Sequence, residues 1–186
     1  MSTPVIGLGD IKSPWLNVYI ANRPPLDEYV YLDELVPLKL GVIAYIAQET
    51  GNHWRKIFNV YSKLIFSYYE YNKKSLKSDT WQQFRDKELL QPESGLRLLF
   101  SAPNLQGKGI HLIMGKQYAT DLGYQPNDHE GMIQLDGDFS VWPDKNVIVC
   151  PYFDYRQLSN AKISKLIEII MTLPVHQDPS KHDLKS

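Results

Sequence analysis

Ile110-His111-Leu112-Ile113-Met114-Gly115-Lys116 is a short, nearly continuous apolar run stopped by a glycine and a lysine. A run of that length, bounded by turn residues, reads as a strand buried on both faces. The residues after it, to about position 122, read as a short helix. Upstream, Leu96-Arg97-Leu98-Leu99-Phe100 has the same texture, and residues 103–109 form the loop between. Downstream, Asn146-Val147-Ile148-Val149-Cys150 is another such strand, and Leu16-Asn17-Val18-Tyr19-Ile20-Ala21 is an alternating one, ended by Asn22-Arg23-Pro24-Pro25 because proline cannot donate to a ladder. Strands that alternate with helices predict an α/β fold. The expected arrangement is one domain over residues 1–174, with a mostly parallel sheet flanked by helices on both faces.

The helices have their own signals. Trp54, Ile57, Phe58, Tyr61, Leu64, Ile65 and Tyr68 recur at i, i+3, i+4 and predict one buried stripe on a helix over 52–71. Before it, a helix is expected from Asp33 or Glu34 to Thr50, with Pro37 in its first turn and Gly51 at its stop. Its residues from Leu38 to Ala47 are apolar nearly all round, which predicts burial in the middle of the domain. A short helix is expected around Trp81, Phe84 and Arg85. Ser159 is a good N-cap for a last helix carrying Ile163, Leu166, Ile167, Ile170 and Met171, which Pro174 ends. Residues 1–14 read as an irregular lead-in and 123–146 as turn-rich, with a short strand over 139–142. The polar tail, 175–186, is expected to be disordered.

The chain has 186 residues, 43% hydrophobic and 22% charged, enough to bury a core. A net charge of −1 argues against a wholly basic surface for duplex nucleic acid or anionic membrane. The first residues, Met1-Ser2-Thr3-Pro4, lack the basic and apolar regions of a signal peptide, and no apolar stretch approaches the roughly 20 residues that span a bilayer. A cytoplasmic location without membrane attachment is expected.

Several motifs fail on inspection. Gly107-Lys108-Gly109 to Gly115-Lys116 has the wrong spacing for a phosphate-binding loop, and Gln117 stands where a magnesium-binding hydroxyl belongs. Gly7-Leu8-Gly9 lacks a third glycine and a preceding strand. The five histidines show no helical pairing for zinc, Asp128-His129-Glu130 reads as a solvated loop, and neither metal nor cofactor is expected. The single cysteine, Cys150, reads as a buried structural thiol.

In an open parallel sheet, ligands bind beyond the carboxyl ends of the strands. Three loops qualify: 22–27, 102–108 and 151–160. The third leads from a strand to a helix N-terminus, where free backbone amides favour an anion. Asn104, Lys116, Tyr152, Asp154, Arg156 and Ser159 are the expected ligand-binding residues, converging on one cleft. Arg156 would hold an anionic group, Tyr152 would wall a ring and Asp154 would orient Arg156. No general base is evident from spacing.

The whole chain resembles an uncharacterised bacterial protein family without an assigned activity. Leu112-Ile113-Met114-Gly115-Lys116-Gln117-Tyr118-Ala119 and Val147-Ile148-Val149-Cys150-Pro151, running on to Leu158-Ser159-Asn160, also resemble the uracil-DNA glycosylase fold over about a third of the chain. That family's His-Pro-Ser is replaced by Cys150-Pro151-Tyr152, and Ile20-Ala21-Asn22-Arg23-Pro24-Pro25 stands where its water-activating segment belongs. The resemblance implies a three-layer arrangement and a site location, without implying glycosylase activity. Two functions compete on these grounds. One is a nucleotide-, base- or nucleic-acid-end-binding protein, with its site at the carboxyl ends of the strands. The other is a non-catalytic interaction or scaffold protein, homodimeric if part of the aromatic stripe over 52–71 is exposed.

Overall fold

The computed structural model describes residues 3–177. Along them run β1 (Gly7–Gly9), β2 (Leu16–Tyr19), α1 (Asp27–Val30), β3 (Leu35–Val36), α2 (Val42–Thr50), α3 (Asn52–Tyr71), α4 (Trp81–Lys87), β4 (Leu96–Leu99), β5 (Ile110–Met114), α5 (Lys116–Asp121), β6 (Ile133–Gln134), β7 (Ser140–Trp142), β8 (Val147–Cys150), α6 (Asn160–Thr172) and α7 (Pro174–Gln177). The strands form one sheet in the order β3-β1-β4-β2-β5-β8-β7-β6. Its centre, β4-β2-β5-β8, is parallel throughout, with Leu16 opposite Leu96 and Ile110, and His111 opposite Val147. The carboxyl ends of these four strands therefore share an edge. β3 is parallel to β1, whereas β1 on β4, β7 on β8 and β6 on β7 are antiparallel. The molecule is thus an α/β protein with a mostly parallel sheet, as the alternation of strands and helices predicts.

Alternation along each strand decides the two faces. Leu16, Val18, Leu96, Leu98, Ile110, Leu112, Met114, Ile148 and Cys150 point to a first face and pack with α2, α3, α4 and α6 in the main core. The stripe of α3 lies at its heart: Trp54, Phe58, Tyr61, Ile65 and Tyr68 are all buried. At roughly 1.5–3 kcal/mol for each large apolar side chain enclosed, this helix is among the chief contributors to stability. The second face carries Tyr19, Leu99, Ile113, Val147 and Val149, covered by Ala119 of α5 and by Tyr118, Leu122, Met132 and Trp142. Among the described residues, helices thus cover one face thickly and the other through α5 alone.

Four expectations need correction. The lead-in contains β1, whose glycines lie against β4: a Cβ on Gly9, at φ +131°, would sit 2.2 Å from the Leu96 carbonyl oxygen. The first midchain helix begins at Val42, because Leu35 and Val36 pair with Gly7 and Leu8 instead of coiling. Nor is that helix buried all round. Ile43, Ile46 and Ala47 face the core, while Leu40, just before it, and Tyr45 are exposed. Finally, Pro174 starts the short helix α7, in which Val175 packs on the core and the His176 ring lies 6.0 Å from Tyr68. The remainder of the tail expected to be disordered, 178–186, lies outside the described residues.

Among the described residues no helix is long and apolar enough to cross a membrane.

Candidate functional site

The loop after β8 is built on two anchors. Phe153 is fully buried and meets Tyr61 edge-on at 5.6 Å, and Leu158 is buried beside the main core. Between and before these anchors the loop presents Tyr152, Asp154, Tyr155 and Arg156 at the carboxyl edge. Ser159 caps α6, accepting from the Lys162 amide at 3.4 Å.

The first turn of α3 meets this loop. The Tyr152 hydroxyl lies 3.0 Å from His53 Nε2, and Asn22 Nδ2 lies 3.4 Å from the same nitrogen. In the tautomer with its proton on Nδ1, His53 accepts from both. Gly115, at the end of β5, lies beneath the Tyr152 ring: a Cβ there would be 3.6 Å from Tyr152 Cδ2. Asp154 accepts from the Arg156 amide at 2.8 Å and pairs with Lys56 Nζ at 3.4 Å. The Arg156 amide, followed by Lys56 and the Arg156 charge, holds the Asp154 carboxyl below its usual range despite some burial. Tyr155 has two cations near its ring, Lys56 at 5.1 Å and Arg156 at 5.6 Å from the ring centre. Burial, with the Asp154 charge, pushes the Tyr152 hydroxyl up to about 12. Tyr152 therefore keeps its proton at neutral pH and offers a hydrogen bond and a ring face.

Of the residues expected from sequence, the structure brings Tyr152, Asp154 and Arg156 together. Lys116 follows the glycine under Tyr152 and is exposed at the start of α5. Ser159 stands at the end of the same loop with its hydroxyl committed to the helix cap. Asn104 goes elsewhere: it lines a cleft on the second face of the sheet, and none of the other five lines that cleft. The β4–β5 crossover has no helix, so its loop folds back over the strands instead of standing at their ends. His53 and Lys56 escape a reading of the sequence, because only the docking of α3 brings them to this edge. Asn22 lies in the first of the three loops that the strand-end rule selects.

The clamp on that loop is specific. The Tyr19 hydroxyl donates to His111 Nδ1 at 2.7 Å, and His111 Nε2 donates to the Gly107 carbonyl at 3.2 Å. Asn17 Nδ2 donates to the Lys108 carbonyl at 3.0 Å. Burial lowers the His111 pKa from its ordinary value, opposed by the Gly107 bond, so the ring is neutral when folded. The unfolded chain takes up this proton near pH 6.5. The contribution of His111 is therefore complete above about pH 6.5 and is lost as pH falls through the lower folded value. Thermal midpoints measured from pH 7.5 to 5 should fall more steeply for the parent than for His111→Gln; parallel curves would show that the ring is not buried neutral.

Cys150 is buried, and burial pushes its thiol far up, away from reactivity. His129 stacks on Trp142 at 4.3 Å and bonds the Gly123 carbonyl, whereas Asp128 and Glu130 on either side of it are exposed. Among the described residues no three metal-ligating side chains gather.

The fold and this edge define an α/β protein with a candidate ligand site where the parallel strands end. Over residues 6–171 the chain matches DUF6942, a family of unknown function, and it belongs to that family. No curated protein matches the chain, and no solved structure does.

Proposed function

We propose that the protein binds a nucleotide, a nucleobase or the end of a nucleic-acid strand at the carboxyl edge of its sheet. The observation that carries this is the setting of Tyr152. Its ring overlies the Gly115 backbone and its hydroxyl is held by His53, and the same loop carries Tyr155, whose ring has two cations near it, Arg156 on that loop and Lys56 on α3. An aromatic wall beside cations suits a planar ring that carries negative charge. α3 adds a long helix whose N-cap, Gly51, gives no side-chain cap to the first-turn amides. The net charge of −1 favours a mononucleotide or strand end over a long duplex, whose affinity depends on neutralising many phosphates.

A thermal-shift panel of nucleobases, nucleotides and short DNA tests the proposal. At about 100 times its Kd, a ligand that binds only the folded state adds about 2.7 kcal/mol of stability. Arg156→Ala should abolish that shift and leave the ligand-free midpoint unchanged, since the side chain is exposed. Silence across the panel, or equal shifts in parent and variant, would overturn the reading.

The scaffold alternative draws on a different surface. Tyr31 and Leu40 are 79% and 70% exposed, and Val30 and Tyr45 are exposed as well. They belong to α1, α2 and the segments flanking them. Sedimentation at several concentrations separates a homodimer on this face from a monomer.

A further inference from the structure

We infer that the cleft on the second face of the sheet is a second binding site, built for a small oxyanion and centred on Arg97. The cleft has a volume of about 50 Å³ and is roofed by residues 3–5 and the loop over 101–108. That is well below the roughly 300 Å³ of sites that enclose whole small molecules, and it suits a few waters or one carboxylate or phosphate group.

Its chemistry is one-sided. Arg97, Lys108, Asn104 and Ser101 line it, and no acidic side chain does. Arg97 is half-buried and locked in place: Nε donates to the Asp10 carbonyl at 2.6 Å and Nη2 to the Ile11 carbonyl at 2.8 Å. A guanidinium has five N–H donors, so its outer edge keeps three unspent. Among the described residues Arg97 makes no ion pair within 4.0 Å. Asp10 lends its field, but its carboxylate accepts from the Lys12 and Gly95 amides and does not line the cleft. A partly desolvated cation whose nearest carboxylate acts only from beyond ion-pair distance is costly, and a bound oxyanion lowers that cost.

The neighbours are turned the same way. Asn104 uses its carbonyl oxygen on the Gln106 amide, which leaves its NH₂ to donate. Ser101 Oγ accepts from the Ile6 amide and keeps its own proton to give. His111 has both ring nitrogens engaged, with Tyr19 and Gly107, and serves as the brace under the site. Fixed donors over a rigid sheet are the preorganisation that anion binding needs. This site is independent of the edge around Tyr152.

The test is a titration of isotope-labelled full-length protein with sodium phosphate and, separately, with sodium acetate, at ionic strength held constant with sodium chloride. Saturable NMR shifts are expected at Arg97 Nε and at the amides of residues 101–108. Preference for phosphate or acetate tells a tetrahedral from a planar group. Arg97→Gln should weaken binding about 100-fold, the loss of charge-assisted hydrogen bonds. Should that variant not fold, Asn104→Ala combined with Lys108→Ala leaves the sheet anchors intact and should weaken binding about tenfold. Shifts that never saturate, that chloride alone reproduces, that survive these substitutions, or that fall only on residues 152–156 would overturn the assignment.

Discussion

Phe58→Ala is expected to lower stability by about 3–5 kcal/mol, a large share of the roughly 5–15 kcal/mol that holds most domains together. Phe58 is completely enclosed, with Trp54 5.9 Å away ring to ring and the main core around it. The substitution removes a whole ring and leaves a cavity that the neighbouring helices and the sheet are too rigid to fill. Urea unfolding should show a lower midpoint with an unchanged slope. A loss below about 1 kcal/mol would show that the stripe of α3 is not core.

Gly9→Val should be similarly damaging, for a backbone reason. Any Cβ at this position meets the Leu96 carbonyl oxygen at 2.2 Å and the Arg97 Cα at 2.8 Å, and φ is +131°. The obstacle is backbone, which no rotamer change relieves. β1 must then leave β4, and β3, which hydrogen-bonds to β1, goes with it. The expected loss is about 4 kcal/mol or more, the range reserved for such disruptions. Amide exchange should speed up at Leu8 and Leu98. Gly41→Ala is the control, since φ there is +87° and nothing lies within 4 Å of its would-be Cβ. It should cost about 1 kcal/mol, the left-handed strain alone. Equal costs for the two substitutions would remove the close approach of β1 to β4.

The parts of the fold that sequence reveals are those whose signal is local. The period of α3 and the apolar runs of β5 and β8 each declare themselves within a few residues. β1 and β3 do not. Gly7-Leu8-Gly9 has almost no side chain with which to announce a strand, and Leu35-Val36 is extended only because β1 lies beside it. Read alone, Glu34 and Pro37 look like a helix start. The site divides in the same way. Tyr152, Asp154 and Arg156 are close in the chain and follow a recognisable strand. His53 lies far from Tyr152 in sequence, yet the two meet through the packing of α3 on the sheet. A rule for strand–helix connections places Asn104 at the edge, but its crossover contains no helix.

The strand order also sets a timetable for synthesis. Leu16 of β2 pairs with Leu96 on one side and Ile110 on the other, and Gly7 of β1 pairs with Leu99. At roughly 5–20 residues per second, a ribosome needs several seconds to supply those partners. Meanwhile α2 and α3, adjacent in sequence, are free to fold against each other while the sheet-facing stripe of α3 stays wet. The nascent chain thus passes through an interval with a broad aromatic surface uncovered, when holdase chaperones would find it. That interval closes only when the chain has grown past β5, so the first strands made are among the last enclosed.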